Sequence, residues 1–101
     1  MTIQYQQQDG ELQVFLSGEL GHHEAIQLMG RLGTLLEQHL PARTVLDLAG
    51  LEFMDSPGIA VVVQTARRCR DCGSVLQVVN TPAQARKVFT CAGIHRLVDI
   101  R

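Results

Sequence analysis

Leu51-Glu52-Phe53-Met54-Asp55-Ser56-Pro57-Gly58-Ile59 marks a corner in this chain. An apolar segment stops at an acidic residue, a lone serine, a proline and a glycine. Ile59-Ala60-Val61-Val62-Val63 then opens a new apolar run. Serine is a preferred helix N-cap and proline a preferred first helical residue, so a helix is predicted to start here, capped by Ser56. A hydroxyl at that place is exposed, aims at unpaired backbone N–H groups and lies at the positive end of the helix dipole. It is a favourable place for a phosphate. The bland alternative is that Ser56 is a helix cap only and Asp55 only a turn residue.

Working outward, the same strand-to-helix punctuation recurs. Before the corner, Val45-Leu46-Asp47-Leu48 reads as a short strand, Arg43 to Leu48, of the kind buried on both faces. Ahead of it, His22 to about His39 has Ile26, Met29, Leu32, Leu35 and Leu36 at helical spacing, with Gly21 as cap, Glu24 as third residue and Pro41 as stop. The chain opens with alternating Thr2 to Gln7, an Asp9-Gly10 turn and alternating Glu11 to Ser17, an antiparallel hairpin. After the corner, Ile59, Val62, Val63, Ala66 and Cys69 mark one helix side and Gly73 its C-cap. Val75 to Val79 is a further strand. Thr81-Pro82-Ala83-Gln84 starts a helix with Ala85, Val88, Phe89 and Ala92 inward and Gly93 at its end. Leu97-Val98-Asp99-Ile100 closes the chain as a short strand.

The order β-β-α-β-α-β-α-β implies an α/β fold: a mixed, mostly parallel sheet after an N-terminal hairpin, flanked by helices. At 101 residues the chain is read as one domain spanning 1–101. Hydrophobic residues make up 46% and the net charge is −1, which leaves no basic footprint for nucleic acid. No apolar run is long enough for a membrane span, and no leader pattern opens the chain, so a cytoplasmic protein is expected. Three cysteines fit a reducing compartment better than a disulfide scaffold.

Other candidates have bland readings. Cys69 and Cys72 have redox-motif spacing but sit at a helix end, not at the helix start that stabilises a thiolate. Cys91 is expected in the core. His22 and His23 are adjacent on a helix and diverge, so they are read as a solvated first turn, not a metal pair. His39 and His95 are expected on the surface, and Asp47 is expected to bond loop amides at a strand end. No catalytic triad order, phosphate loop or paired-carboxylate signature is present, so neither an enzyme nor a metal or bound cofactor is expected.

The chain resembles the STAS domain, and within it the bacterial anti-sigma factor antagonists. Four pieces carry the resemblance: Gly18-Glu19-Leu20 followed by His22-His23, Val45-Leu46-Asp47-Leu48, Phe53-Met54-Asp55-Ser56-x-Gly58, and Gly73 with Pro82, Phe89 and Gly93. The resemblance implies a STAS fold and a phosphoacceptor at Ser56. It implies partner switching: the unphosphorylated antagonist binds an anti-sigma factor that is also a serine kinase, freeing the sigma factor. Phosphorylation from the kinase's ATP releases the antagonist, and a phosphatase resets it. The implied partner surface is Asp55, Pro57, Gly58 and Ile59 with Gly21, His22, His23 and Glu24, and Asp47 is a structural residue near the site. The family commonly has aspartate after Gly-Glu-Leu; here Gly21 supplies no carboxylate. That departure leaves an alternative, a STAS scaffold without a serine switch in a stress-sensing or lipid-transport complex.

Overall fold

Asp9 and Gly10 both take positive φ, 51° and 77°, the conformation a tight hairpin turn demands. They join β1 (Thr2–Gln8) to β2 (Glu11–Leu20) in antiparallel register, Ile3 opposite Leu16 and Tyr5 opposite Val14. A computed structural model describes the chain from Met1 to Arg101. After the hairpin come α1 (His22–His39), β3 (Arg43–Met54), α2 (Pro57–Asp71), β4 (Val75–Val79), α3 (Ala83–Cys91), a 3-10 turn (Ile94–Arg96) and β5 (Asp99–Ile100). The sheet order is β1-β2-β3-β4-β5, and every pair after the first is parallel. Each helix therefore serves as the crossover between neighbouring parallel strands.

The helices cover one face of this sheet. A single core of 22 residues joins Leu12, Val14 and Leu16 of β2 to Leu28 and Leu32 of α1, Val61 and Val62 of α2, and Phe89 of α3. Fully burying side chains of this size contributes roughly 1.5–3 kcal/mol each. The alternate strand positions face the other way and hold each other. Gln13 donates to Glu11, Arg43 pairs with Glu11 and donates to Gln77, and Gln77 donates to Asp99 at 2.9 Å. The Gln77 bond, then the Arg101 bond, holds the Asp99 carboxyl below its usual range. "Flanked by helices" is thus narrowed to one side, because the opposite face satisfies itself with side-chain hydrogen bonds.

Several boundaries differ from those expected, for identifiable reasons. β2 continues through Gly18-Glu19-Leu20, and β3 continues six residues beyond Leu48. Two register shifts put an extra β3 residue against β2, one after Phe15 and one after Gly18. The buried positions of β3 then fall at Leu48, Leu51 and Met54, a spacing that hides the strand alternation. In α1 the buried stripe is Ala25, Leu28, Leu32, Gly33, Leu35 and Leu36, and Ile26 is 55% exposed. Small residues let α1 lie close: a Cβ on Gly33 would come within 2.6 Å of the Arg68 guanidinium from α2. In α2 the buried stripe is Gly58, Val61, Val62, Thr65 and Cys69, with Ile59, Val63 and Ala66 only partly covered. Thr65 is tolerated inside because its hydroxyl donates to the Val61 carbonyl at 2.6 Å.

The last unit starts one residue late. Thr81 does not cap α3: its hydroxyl is buried without a partner, and its N–H donates to the Arg101 carbonyl. Pro82 holds the cap position instead, and its carbonyl accepts from Arg86. Ala92 is exposed, and Cys91 is exposed, not core, because α3 turns only Ala85 and Phe89 fully inward. Leu97 and Val98 precede β5, which has two residues, because the 3-10 turn from Ile94 takes up the chain before them. His39 is half-buried with its ring 5.6 Å from Tyr5, whereas His95 is exposed.

Candidate functional site

The sheet register brings two loops together. Leu20 is paired with Met54 at the ends of neighbouring parallel strands. Gly21-His22 follows the first and Asp55-Ser56 the second, and the Asp55 N–H donates to the Leu20 carbonyl at 3.0 Å. Two helix starts therefore emerge side by side at the carboxyl ends of β2 and β3, the edge where α/β sheets commonly present their sites. Gly21, His22, His23 and Glu24 stand at one start, and Asp55, Ser56, Pro57, Gly58 and Ile59 at the other.

The α2 start is built on close packing. Gly58 is buried, and a Cβ there would lie 2.5 Å from the Met54 sulfur and 3.3 Å from Leu20. Only glycine lets the helix sit that near the strand ends. Gln84, from α3, fixes the same strand end from the other side. Its amide accepts from the Met54 N–H at 2.9 Å and donates to the Met54 carbonyl at 2.8 Å. Sequence reading placed Gln84 in a capping role and missed this bridge. A lone glutamine 30 residues from its partner carries no sequence signal.

Ser56 is exposed, as is Asp55. Its backbone is already helical, φ −53° and ψ −29°, and its hydroxyl makes no cap hydrogen bond. Ser56 stands where expected, directly before Pro57 at the start of α2, but its side chain does not cap the helix, since a capping side chain needs extended backbone at its own residue. Nor does the hydroxyl aim at free donors. The Ser56 N–H is taken by the Asp55 carboxylate at 2.9 Å, Gly58 N–H by the Asp55 carbonyl, and Ile59 N–H by the Ser56 carbonyl. Pro57 has no N–H to offer. The first turn of α2 satisfies itself, and the Ser56 hydroxyl is left with no internal duty.

At the α1 start, Gly21 caps in extended geometry, and the Glu24 carboxylate accepts from its N–H at 2.9 Å. His22 and His23 are exposed, with rings 6.1 Å apart edge to face. Asp47 lies apart from both starts. Its carboxylate accepts from Ala49 N–H at 2.9 Å and from the Asn80 amide at 3.1 Å, seven residues and roughly 20 Å of strand before Met54. Its observed bonds are structural. Cys69 is buried and its thiol is pushed up by desolvation, a setting that disfavours thiolate chemistry.

A family model described as Mlab, STAS domain matches residues 3–99. The anti-sigma F factor antagonist of Lysinibacillus sphaericus is 30% identical over 79 residues, covering 78% of this chain and 68% of that protein. The anti-sigma-B factor antagonist of Bacillus subtilis (strain 168) is 27% identical over 100 residues, covering 99% of this chain and 90% of that protein. Among solved structures, the anti-sigma factor antagonist SpoIIAA in its unphosphorylated form superposes with a TM-score of 0.85 at 24% identity, over 99% of this chain and 88% of that one. At that identity the structural likeness speaks for the fold.

Proposed function

Because the chain belongs to the STAS domain family, we propose that it acts as an anti-sigma factor antagonist switched at Ser56. The unphosphorylated chain binds an anti-sigma factor through the paired helix starts and frees the sigma factor. Phosphorylation by the anti-sigma factor, a serine kinase that brings its own ATP, ends the complex, and a phosphatase restores it. The chain needs no cofactor of its own and works in the cytoplasm. No helix is long and apolar enough to cross a membrane.

One observation carries this reading: Ser56 is exposed at the joint of two helix starts, and its hydroxyl does nothing for the fold. A phosphate there adds about −1.5 to −2 charge. The dipole of α2 favours it by about 0.3–1 kcal/mol, so the fold tolerates the group. Buried unpaired against a partner, the same charge costs about 3–5 kcal/mol, more than ~100-fold in affinity. The neighbouring Asp55 carboxylate adds like-charge repulsion.

The test is intact-mass and tandem mass spectrometry after incubation with ATP and the anti-sigma kinase of the same cell, on parent and Ser56→Ala proteins. One phosphate on the parent at Ser56 and none on the variant is the expected result. An unmodified parent, with a kinase active on another antagonist, removes the switch. A second reading, a STAS subunit without a serine switch, draws on two observations: the matched family model bears the Mlab description, and Gly21 offers no carboxylate beside Ser56. Stable co-purification with transport or scaffold subunits, indifferent to ATP, supports that reading.

A further inference from the structure

β1 is an outer strand, and its far edge is unpaired. Thr2–Gln8 contains no Asp, Glu, Lys, Arg or Pro, although charged residues are 19% of the chain. Its pairing with β2 runs through all seven residues without a bulge, and six of the seven are exposed. Sheet edges are normally protected by charge, proline, a bulge or shortness. The opposite edge, β5, has two residues, one of them Asp99. β1 has none of these protections, and alternate residues along it turn their N–H and C=O groups outward.

We propose that this edge joins two copies of the chain, β1 against β1, antiparallel about a two-fold axis through Tyr5. Tyr5 is the midpoint of Thr2–Gln8, so this register pairs all seven residues: Thr2 with Gln8, Ile3 with Gln7, Gln4 with Gln6, and Tyr5 with its own counterpart. The occupant follows from the chemistry of the strand. An uncharged edge has nothing to select a charged partner, but it is complementary to itself on both faces. On the open face Gln4 meets Gln6 twice, and each amide donates and accepts. On the helix face two Tyr5 rings meet; each is 43% exposed and backed by His39 at 5.6 Å. Aromatic cross-strand pairs of this kind stabilise antiparallel sheets. The product is a closed, isologous dimer with one continuous sheet of ten strands. A single strand pair is small as interfaces go, so dissociation constants between roughly micromolar and millimolar are expected. The contact uses Thr2–Gln8 and no residue of the two helix starts.

Sedimentation equilibrium of the full chain tests it, from about 5 µM to about 1 mM on the scale of weak complexes. The parent mass is expected to rise from 11.1 kDa toward twice that value. Gln4→Lys with Gln6→Lys sets like charges opposite each other twice and weakens the dimer by roughly tenfold or more. Gln4→Lys with Gln6→Glu sets opposite charges in the same places and restores it, which no general effect on solubility would do. Hydrogen exchange on the parent adds a readout free of mutation: β1 amides gain protection with concentration. A parent that stays at 11.1 kDa throughout overturns the proposal. So does a dimer that survives the paired lysines, or an edge that gains protection only from an unrelated extended peptide.

Discussion

At one corner of the molecule α1 and α2 begin side by side, and their first turns are finished differently. α2 closes on itself: the Asp55 carboxylate and the Asp55 and Ser56 carbonyls take up the nearby donors, and Pro57 brings none. α1 stays open. Its Gly21 N–H is bound by Glu24, but the amides of His22, His23 and Glu24 find no acceptor in the protein. An aspartate in the place of Gly21 would reach them; glycine leaves them to solvent. The free donors at this corner thus belong to the helix beside Ser56, not to the helix that Ser56 precedes. An anion carried by Ser56 has the field of both starts, but uncommitted hydrogen-bond donors from only one.

The comparison is broken most severely by overfilling the closed start. Gly58→Val drives a side chain into Met54 and Leu20 and is expected to cost about 1–3 kcal/mol, read as a lowered thermal midpoint. Gln84→Ala is expected next. It leaves the Met54 N–H and C=O without their side-chain partner, for roughly 1–2 kcal/mol in urea unfolding, with the loss of amide protection concentrated at Met54. A local loss as large at the α1 start would contradict the asymmetry. Gly21→Asp sharpens the contrast from the open side. The position is extended, φ −101°, and the added Cβ would come 2.8 Å from the Glu24 carboxylate, the end of a flexible side chain that can shift aside. Capping the free amides is then worth a few tenths of a kcal/mol of added stability. Smallest of all is Ser56→Ala, within about 0.5 kcal/mol of the parent, since no hydrogen bond is lost. A larger loss would mean that the hydroxyl supports the helix after all.

The element order, the hairpin and the corner at Ser56 were legible because they rest on local chemistry. Asp9-Gly10 has one comfortable turn, Pro57 and Pro82 sit near helix starts, and Gly73 and Gly93 follow helix ends at positive φ. The strand that extends to Met54 was hidden by its two register shifts, since a bulge is a relation between strands and leaves no mark in one of them. The helix faces were rotated because Ala25, Gly33, Gly58 and Thr65 pack inward where a hydrophobicity count favours Ile26 and Val63. Within the site, the exposed residues of the two helix starts, Asp55, Ser56, His22 and His23, could be named from the sequence. Those that hold the site from behind were not: Gln84 acts from α3, and the Leu20–Met54 pairing appears only when the sheet forms.

Between Met54 and Pro57 the linker is two residues long and tied along its length. Asp55 is bound to Leu20, Met54 is gripped by Gln84, and Gly58 is held to Asp55. A tether this short has no slack. Any enzyme that modifies Ser56 must take it as a folded corner, with a helix entering its active site, and not as the extended peptide that a long loop would offer. Recognition then depends on the intact domain. A denatured chain, or a peptide copied from this stretch, would make a poor substrate even though every residue of the motif is present.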